Sequence, residues 1–224
     1  MVVLTDNGAS AVMGYMGEFI ALALIHFLAV VAPGPDFAVT IRQSVRHGRS
    51  AGIGTALGIG AGISVHVVYT LLGVGALMHT TPWLLQVASW LGAAYLLFLG
   101  ILVIRQGRQT TGVFQEAGEE QGVVSFRRSV VLGFLTNATN PKATLFFLAV
   151  FTTIVSAQTP LGVQMLYGVW MCVVNALWFV LVSLLFTSPP VRERFLRLGY
   201  WFERMIGVLL IAFSVRLLWG LVGV

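Results

Sequence analysis

Long apolar blocks separated by short polar stretches make up most of this chain of 224 residues. A helix that crosses the hydrocarbon core of a bilayer needs about 20 predominantly apolar residues. A window of that length finds six such segments, and most of the connections between them are short. The pattern predicts an all-α integral membrane protein with six transmembrane helices at residues 19–41, 51–78, 83–104, 129–155, 162–187 and 205–222.

The composition supports a location in lipid. Hydrophobic residues make up 58% of the chain and charged residues only 9%, whereas about a quarter of the residues in a soluble domain are charged. The net charge of +5 is not arranged as a basic stripe interleaved with aromatic residues, so we expect no nucleic-acid partner. The single cysteine, Cys172, leaves no disulfide pairing and no cysteine-based metal site. We therefore expect the lipid bilayer as the surroundings, with no metal and no cofactor.

The basic residues indicate which connections face the cytoplasm. In membrane proteins, Lys and Arg accumulate in the cytoplasmic loops. Neither occurs in the second or fourth connection, so the first, third and fifth connections are predicted to be cytoplasmic. Six spans then place both termini outside, which is the periplasm in a Gram-negative bacterium. These three connections hold eleven of the 13 basic residues, namely Arg42, Arg46, Arg49, Arg105, Arg108, Arg127, Arg128, Arg192, Arg194, Arg197 and Arg204.

The whole chain, residues 1–224, is predicted to form one transmembrane domain with two halves. The longest connection, about residues 105–128, carries four glycines and is typical of a flexible cytoplasmic linker. It separates three helices at about 19–104 from three helices at about 129–222. Because three crossings is an odd number, a second half that repeats the first must lie inverted in the membrane. Short similarities between helices 3 and 6 and matched helix breaks favour two such inverted-topology repeats.

Proline interrupts the first helix of each half. Helix 1 contains Pro-Gly-Pro-Asp at residues 33–36, and helix 4 contains Asn-Pro-Lys at residues 140–142. Proline lacks an N–H and clashes with the preceding turn, so each run must open the helix and free backbone groups. In a bilayer such groups are tolerated where they line a cavity or are bonded by neighbouring helices. A lone proline fits a simple packing kink, but matched breaks beside ionisable residues indicate a transport site.

Few ionisable residues lie within the spans, and such residues mark function by default. Asp36 and Lys142 stand beside the two breaks, near the middle of the membrane. Because a nearby carboxylate keeps a buried lysine charged, we expect the two to interact directly or through a substrate. His26 and His66 can each carry a proton near neutral pH, although either also fits a hydrogen-bonded packing residue. Neutral donors and acceptors at a similar depth include Asn137, Asn140 and Asn175.

Helix 2 carries glycines at every fourth position, Gly54, Gly58 and Gly62. Such a row lets the backbone of another helix approach closely, which is a common way to pack helices in membranes. The partner helix belongs either to the other half of the same chain or to a second copy in a homodimer. We favour a contact within the same chain.

Five stretches of the sequence carry a family resemblance. They are Pro-Gly-Pro-Asp-Phe at 33–37, Arg-His-Gly-Arg-Ser-Ala-Gly at 46–52, the glycine-rich helix 2, Gly-Ala-Ala-Tyr-Leu-Leu-Phe-Leu-Gly at 92–100, and Asn-Pro-Lys-Ala at 140–143. In this order and spacing they resemble the LysE/RhtB family of bacterial amino-acid exporters, over about residues 19–218. His26, seven residues before the first proline, is similar to the threonine and homoserine efflux branch of that family.

The resemblance implies a six-helix inner-membrane exporter of small, threonine- or homoserine-like amino acids or related metabolites, working in exchange for protons. For proton coupling, Asp36 is the best carrier and His26 or His66 the second. Two other classes stay open as alternatives. One is an intramembrane enzyme acting on a lipid, for which catalytic groups are scarce, and the other is a non-transporting membrane scaffold. The resemblance assigns the central substrate site to Pro33, Gly34, Pro35, Asp36, Asn140, Pro141 and Lys142.

Overall fold

The computed structural model describes residues 6–80, 82–106, 124–156 and 158–222, and these residues form helices joined by short connections, without a strand. The predicted all-α class is therefore confirmed for the described residues. The helices in this part of the chain are α1 (Asp6–Val31), α2 (Pro35–Thr80), α3 (Pro82–Gln106), α4 (Phe126–Ala138), α5 (Pro141–Thr153), α6 (Leu161–Phe186) and α7 (Pro189–Val222).

Five of the helices in the described ranges, α1, α2, α3, α6 and α7, are long and apolar enough to cross a membrane. Large apolar side chains on their outer faces are exposed, for example Leu72, Leu166 and Trp219, as expected where lipid surrounds the helices. The chain is thus a multi-pass membrane protein. The count differs from the predicted six because the segment 129–155 is divided into α4 and α5, with 13 residues each. A helix of that length spans only about 20 Å.

Helix α2 folds back on itself at Gly48. This glycine has φ 80° and ψ −179°, in a region that side chains other than glycine rarely adopt. A Cβ atom built on Gly52 would clash with the Oγ atom of Ser44, although residues eight apart in a straight helix are separated by about 12 Å along the axis. We call residues 35–47 the first arm of α2 and residues 49–80 the second arm.

Both predicted helix breaks are present. Helix α1 ends at Val31 and α2 resumes at Pro35, while α4 ends at Ala138 and α5 resumes at Pro141. Proline suits the first position of a helix because the N–H that it lacks would have no intrahelical partner there. Each break is thus a short non-helical stretch followed by a new helix whose first residue is proline.

Three predicted boundaries need correction. Helix α1 begins at Asp6, well before the predicted start at residue 19. The predicted connection 42–50 is helical on both sides of the turn at Gly48, and the predicted connection 188–204 belongs to α7 from its second residue onward. Arginine-rich segments are good helix formers, so their charge indicates a side of the membrane and not an absence of helix. Most of the predicted linker 105–128 lies outside the described residues, and its last residues already belong to α4.

The helices pack so that both breaks lie inside the bundle. Helix α2 packs against α4 and α6, and α3 packs against α5 and α7. The contact between α3 and α7 is close, because a Cβ atom on Gly100 would lie 2.9 Å from the carbonyl oxygen of Gly207. Leu22, Ile63 and Phe147, from α1, α2 and α5, are buried in the main apolar core. The core includes Ala32, beside the first break, and Phe146 and Phe147, which follow the second break and contact His26.

Candidate functional site

The two helix breaks contact each other in the middle of the bundle. Gly34, in the first break, lies against the side chain of Lys142 at the start of α5. A Cβ atom at Gly34 would meet the Nζ atom of Lys142 at 3.3 Å and its Cδ atom at 3.4 Å. The structure therefore brings together the two motifs that the sequence analysis assigned to one site.

The carboxylate of Asp36 connects the first arm of α2 to the second break. Its Oδ2 atom accepts hydrogen bonds from the Nδ2 atoms of Asn137 at 2.9 Å and Asn140 at 3.2 Å. Asn140 is also the N-cap of α5, because its Oδ1 atom accepts from the backbone N–H of Lys142 at 3.0 Å. This pairing fixes the amide orientation of Asn140, with oxygen toward the helix and nitrogen toward Asp36.

Lys142 is held by the end of α1 and does not form a direct ion pair with Asp36. Its Nζ atom donates to three backbone carbonyls, those of Ala29 at 3.3 Å, Ala32 at 3.0 Å and Pro33 at 3.4 Å. The end of a helix leaves carbonyl groups without intrahelical partners, and a cation there also interacts favourably with the helix dipole. Lys142 therefore closes the end of α1 across the break.

His66 fixes the second break from the side of α2. Its Nε2 atom lies 2.8 Å from the carbonyl oxygen of Asn137, and its Nδ1 atom lies 2.9 Å from the hydroxyl of Tyr69. The imidazole ring also stacks on Phe147, with 5.6 Å between ring centroids. Both ring nitrogens are thus engaged, as in a packing histidine that orients its neighbours.

His26 is fully enclosed, and neither of its ring nitrogens has a hydrogen-bond partner among the residues that the structure describes. Aromatic rings surround it, with Trp170 at 5.6 Å, Phe146 at 6.0 Å and Phe147 at 6.4 Å between centroids. A buried polar group without a partner is costly. His26 is therefore available to a molecule that enters the site, unlike His66.

A small cavity of about 40 Å³ lies between these groups. That volume holds no more than a few water molecules. Besides His26, three oxygen atoms of side chains around it are buried without a partner, namely Oδ1 of Asp36, Asn137 and Asn175. Its polar lining residues come from α1, α2, α4, α5 with its N-cap, and α6, and are His26, Asp36, Asn137, Asn140, Lys142 and Asn175.

A second cavity, of about 460 Å³ and mostly apolar lining, lies on the other side of Lys142. The predicted site residues divide between the two cavities. Gly34, Pro35 and Lys142 line both, whereas Pro33 and Pro141 line only the larger one. The larger cavity is bounded by α3, including Tyr95, whose hydroxyl donates to the backbone oxygen of Lys142 at 3.1 Å.

Two amide side chains that line the small cavity, Asn137 and Asn175, are absent from the motif-based assignment of the site. Asn137 lies in the last turn of α4, just before the second break, and Asn175 lies on α6, far from both motifs in sequence. Each is an amide within an apolar segment and each is almost completely buried. The only indication in the sequence that these residues belong to the site was the presence of an isolated amide in a membrane span. Such amides also join helices without any contact to a ligand.

The row of glycines on the second arm of α2 faces α4 of the same chain. A Cβ atom at Gly54 would lie 3.0 Å from that of Ser129 and one at Gly62 2.8 Å from that of Asn137, while one at Gly58 would overlap the carbonyl oxygen of Val130. The second arm and α4 therefore meet almost backbone to backbone. Because Asn137 belongs to this contact, the glycine row sets the position of a residue in the site.

The fold and the site together define a class of protein. It is a multi-pass membrane protein whose polar centre is built on two broken helices, and this arrangement is typical of membrane transporters. The family model for the LysE type translocator matches residues 27–220 of the chain. The protein belongs to this family, as the motif resemblance implied, and is a transporter and not an enzyme.

Characterised relatives cover most of the chain. The threonine efflux protein of Escherichia coli (strain K12) is 29% identical over 202 residues, which are 89% of this chain and 97% of that protein. The threonine efflux protein of Salmonella typhi is 28% identical over 205 residues, with the same coverage of 89% and 97%. The leucine efflux protein of Enterobacter sp. (strain 638) is 30% identical over 196 residues, covering 85% and 90%. No solved structure matches the chain at a significant level.

Proposed function

We propose that this chain exports small amino acids or their derivatives across the inner membrane of a bacterium by alternating access. The observation that carries the proposal is the convergence of two helix breaks on one buried cavity, where Asn137 and Asn140 of one break hold Asp36 of the other. Discontinuous helices that meet in the membrane are typical of substrate sites in secondary transporters. The threonine and leucine efflux proteins among its relatives support an amino acid as the substrate.

The site suits a zwitterion, which needs an anionic partner for its ammonium and a positive partner for its carboxylate. Asp36 is the anionic partner. The first turns of α2 and α5 adjoin the cavity through Pro35 and Asn140, and the N-terminal end of a helix carries partial positive charge. Because Lys142 already donates to three carbonyls, these helix ends are the better partners for the substrate carboxylate.

The helices fit a six-segment arrangement when each broken pair is counted once. In this arrangement α1 and the first arm of α2 form one broken helix, and α4 and α5 form another. The six segments then form two three-helix repeats in inverted orientation. The arginine-rich connections lie in the cytoplasm and both termini lie outside. The proposal is supported by the prolines that restart both broken helices, Pro35 and Pro141, and by the close crossing of α3 and α7 at Gly100 and Gly207.

Transport requires the site to change its size. The cavity of about 40 Å³ is much smaller than the 300 Å³ or more of common ligand pockets, so the repeats must separate to admit an amino acid. A rocking motion of one repeat against the other provides this change, with the contact between α4 and the glycine row as the sliding surface. In a proton-coupled cycle, Asp36 binds a proton from the outside, and this returns the carrier to its inward-open state. His26 is the second candidate for the residue that binds the proton.

The proposal can be tested by counterflow with the purified protein in liposomes. Vesicles are loaded with one unlabelled amino acid, and uptake of the same radiolabelled compound is followed with and without a pH gradient. Threonine, homoserine and leucine form the first panel. We expect internal amino acid to stimulate uptake, and an imposed pH gradient to drive it for a proton-coupled carrier. Absence of counterflow for every compound, with correctly inserted protein, would contradict the proposal.

A further inference from the structure

The polar groups around the small cavity differ in which of their atoms are still free to bind a ligand. The amide donors of Asn137 and Asn140 are used within the protein, because Nδ2 of each points to Oδ2 of Asp36, whereas the ring nitrogens of His26 have no partner among the described residues. The ammonium of Lys142 is likewise held by the carbonyls at the end of α1. The side-chain oxygens without a partner are acceptors, namely Oδ1 of Asp36, Asn137 and Asn175.

These three acceptors come from three separate helices. Asp36 lies in the first turn of α2, Asn137 in the last turn of α4 and Asn175 in the middle of α6. Asn137 is fully buried and Asn175 is 4% exposed, so solvent outside the protein cannot satisfy them. A buried acceptor oxygen without a donor is unfavourable, and the presence of three such oxygens, two of amides and one of a carboxylate, around one cavity indicates a missing donor group.

A primary ammonium is the substrate group that matches this set. It carries three N–H donors and a positive charge, and the set consists of acceptors of which one is a carboxylate. A substrate carboxylate would be repelled by the same oxygens. We propose that Oδ1 of Asp36, Asn137 and Asn175 form an ammonium pocket, which makes Asn175 a substrate-binding residue and restricts the substrates to compounds with an unblocked primary amine.

The inference rests on the proposed function and sharpens it. The first arm, α4 and α6 would each contribute one contact to the same nitrogen atom. The ammonium would therefore draw together elements of both halves of the chain, whereas the substrate side chain would lie toward His26 or toward the larger cavity beyond Lys142. All substrates would then need a primary amine. The preference for one amino acid over another would depend on the residues that contact the substrate side chain.

The decisive variants are Asn175→Leu, which has a similar size but no acceptor, and Asn175→Asp, which retains one. Loss of a hydrogen bond to a charged group predicts that Asn175→Leu raises the KM for threonine counterflow about tenfold. Asn175→Asp retains the acceptor but adds a second buried carboxylate beside Asp36, so its KM should rise less than that of Asn175→Leu. Ser183→Ala is the matched control on α6, because Ser183 is equally buried but bonds Ser44 and does not line the cavity. An unchanged KM in Asn175→Leu would overturn the proposal.

Competition experiments test the ammonium itself. N-acetylthreonine should fail to inhibit counterflow of labelled threonine, and equal inhibition by threonine and N-acetylthreonine would contradict the pocket. A thermal-shift measurement in detergent is independent of transport. Ethylammonium chloride should stabilise the wild-type protein more than sodium chloride at the same ionic strength, and Asn175→Leu should remove the difference. Equal stabilisation by both salts would overturn the ammonium assignment even if amino-acid export is confirmed.

Discussion

The Nε2 atom of His66 lies 2.8 Å from the carbonyl oxygen of Asn137, at the end of α4. Because a carbonyl oxygen can only accept, Nε2 carries the hydrogen and Nδ1 is left to accept from the hydroxyl of Tyr69. The side chain of Asn137 in turn donates to Asp36. His66 thus orients the backbone from which an Asp36 partner projects, and both of its ring nitrogens are hydrogen-bonded in this arrangement.

His66→Gln is expected to lower stability and transport without removing their dependence on pH. Loss of a buried hydrogen bond predicts a decrease of about 1–3 kcal/mol in the free energy of unfolding. Tyr69→Phe, which removes only the Nδ1 partner, should cost less. Thermal unfolding in detergent and counterflow across a series of pH values provide the measurements. If counterflow in His66→Gln became independent of pH, His66 would have to be a proton carrier.

Asp36→Asn should abolish efflux while the protein remains folded in the membrane. The substitution keeps the size of the side chain but removes the charge and one of its two acceptor oxygens, so the side chain can no longer accept from Asn137 and Asn140 and also from a substrate ammonium. Efflux from intact cells measures the activity, and gel filtration of the purified variant tests its folding. Near-normal efflux from this variant would rule out a central role for the carboxylate.

Gly58→Ala should destabilise the protein, because a Cβ atom at Gly58 would overlap the backbone of Val130 and approach that of Phe134. Overpacking of this kind costs about 1–3 kcal/mol. Gly73→Ala is the matched control on the same arm of α2, since a Cβ atom there meets nothing within 4 Å. Thermal unfolding of the two variants gives the comparison. Equal melting temperatures would mean that the second arm and α4 are not in backbone contact.

Gly48→Ala is expected to destabilise the turn of α2 by about 1–3 kcal/mol. The cause is backbone conformation and not space, because φ is 80° and a Cβ atom would meet nothing within 4 Å. Gly14→Ala in α1 has the same open surroundings but an ordinary helical backbone, so it should be neutral or slightly stabilising. Thermal unfolding of both variants separates the two effects, and a neutral Gly48→Ala would contradict the turn.

Glu18 is expected to hold the connection between α5 and α6 against α1. Its carboxylate accepts from the Thr159 hydroxyl at 2.7 Å and from the backbone N–H of Ser156 at 3.1 Å. Glu18→Gln and Thr159→Val should each lower stability by about 1 kcal/mol. The double variant should lose less than the sum, because both changes remove the same hydrogen bond. Strictly additive losses in thermal unfolding would exclude the contact.

The sequence was sufficient to locate the two helix breaks and to place both in one site, because Pro-Gly-Pro-Asp and Asn-Pro-Lys are improbable runs inside apolar segments. It could not determine the partners of Lys142. Lys142 donates to the backbone carbonyls of Ala29, Ala32 and Pro33. Every residue has a backbone carbonyl, so the sequence could not show which of them bind the lysine. The expected interaction with Asp36, direct or through a substrate, was the simplest pairing of opposite charges at one depth, and the structure shows no direct ion pair between the two.

Histidines and amides show the same limit. His26 and His66 looked equivalent in the sequence, since each is a lone histidine in an apolar segment. They differ because His66 meets a carbonyl and a hydroxyl, whereas His26 meets only aromatic rings among the groups that the structure describes. Asn175 was likewise one amide among several, and only the packing of α6 against α2 places it at the cavity.

The turn at Gly48 has a mechanical consequence. A single residue joins the arm that carries Asp36 to the arm that carries the glycine row, so no slack chain separates them. In the transport motion that we propose, sliding of the second arm along α4 would carry the first arm with it, because only Gly48 lies between the two arms, and Asp36 lies near the far end of the first arm. A small displacement of the second arm at the glycine row would then also displace the carboxylate of Asp36, because no flexible loop lies between the two.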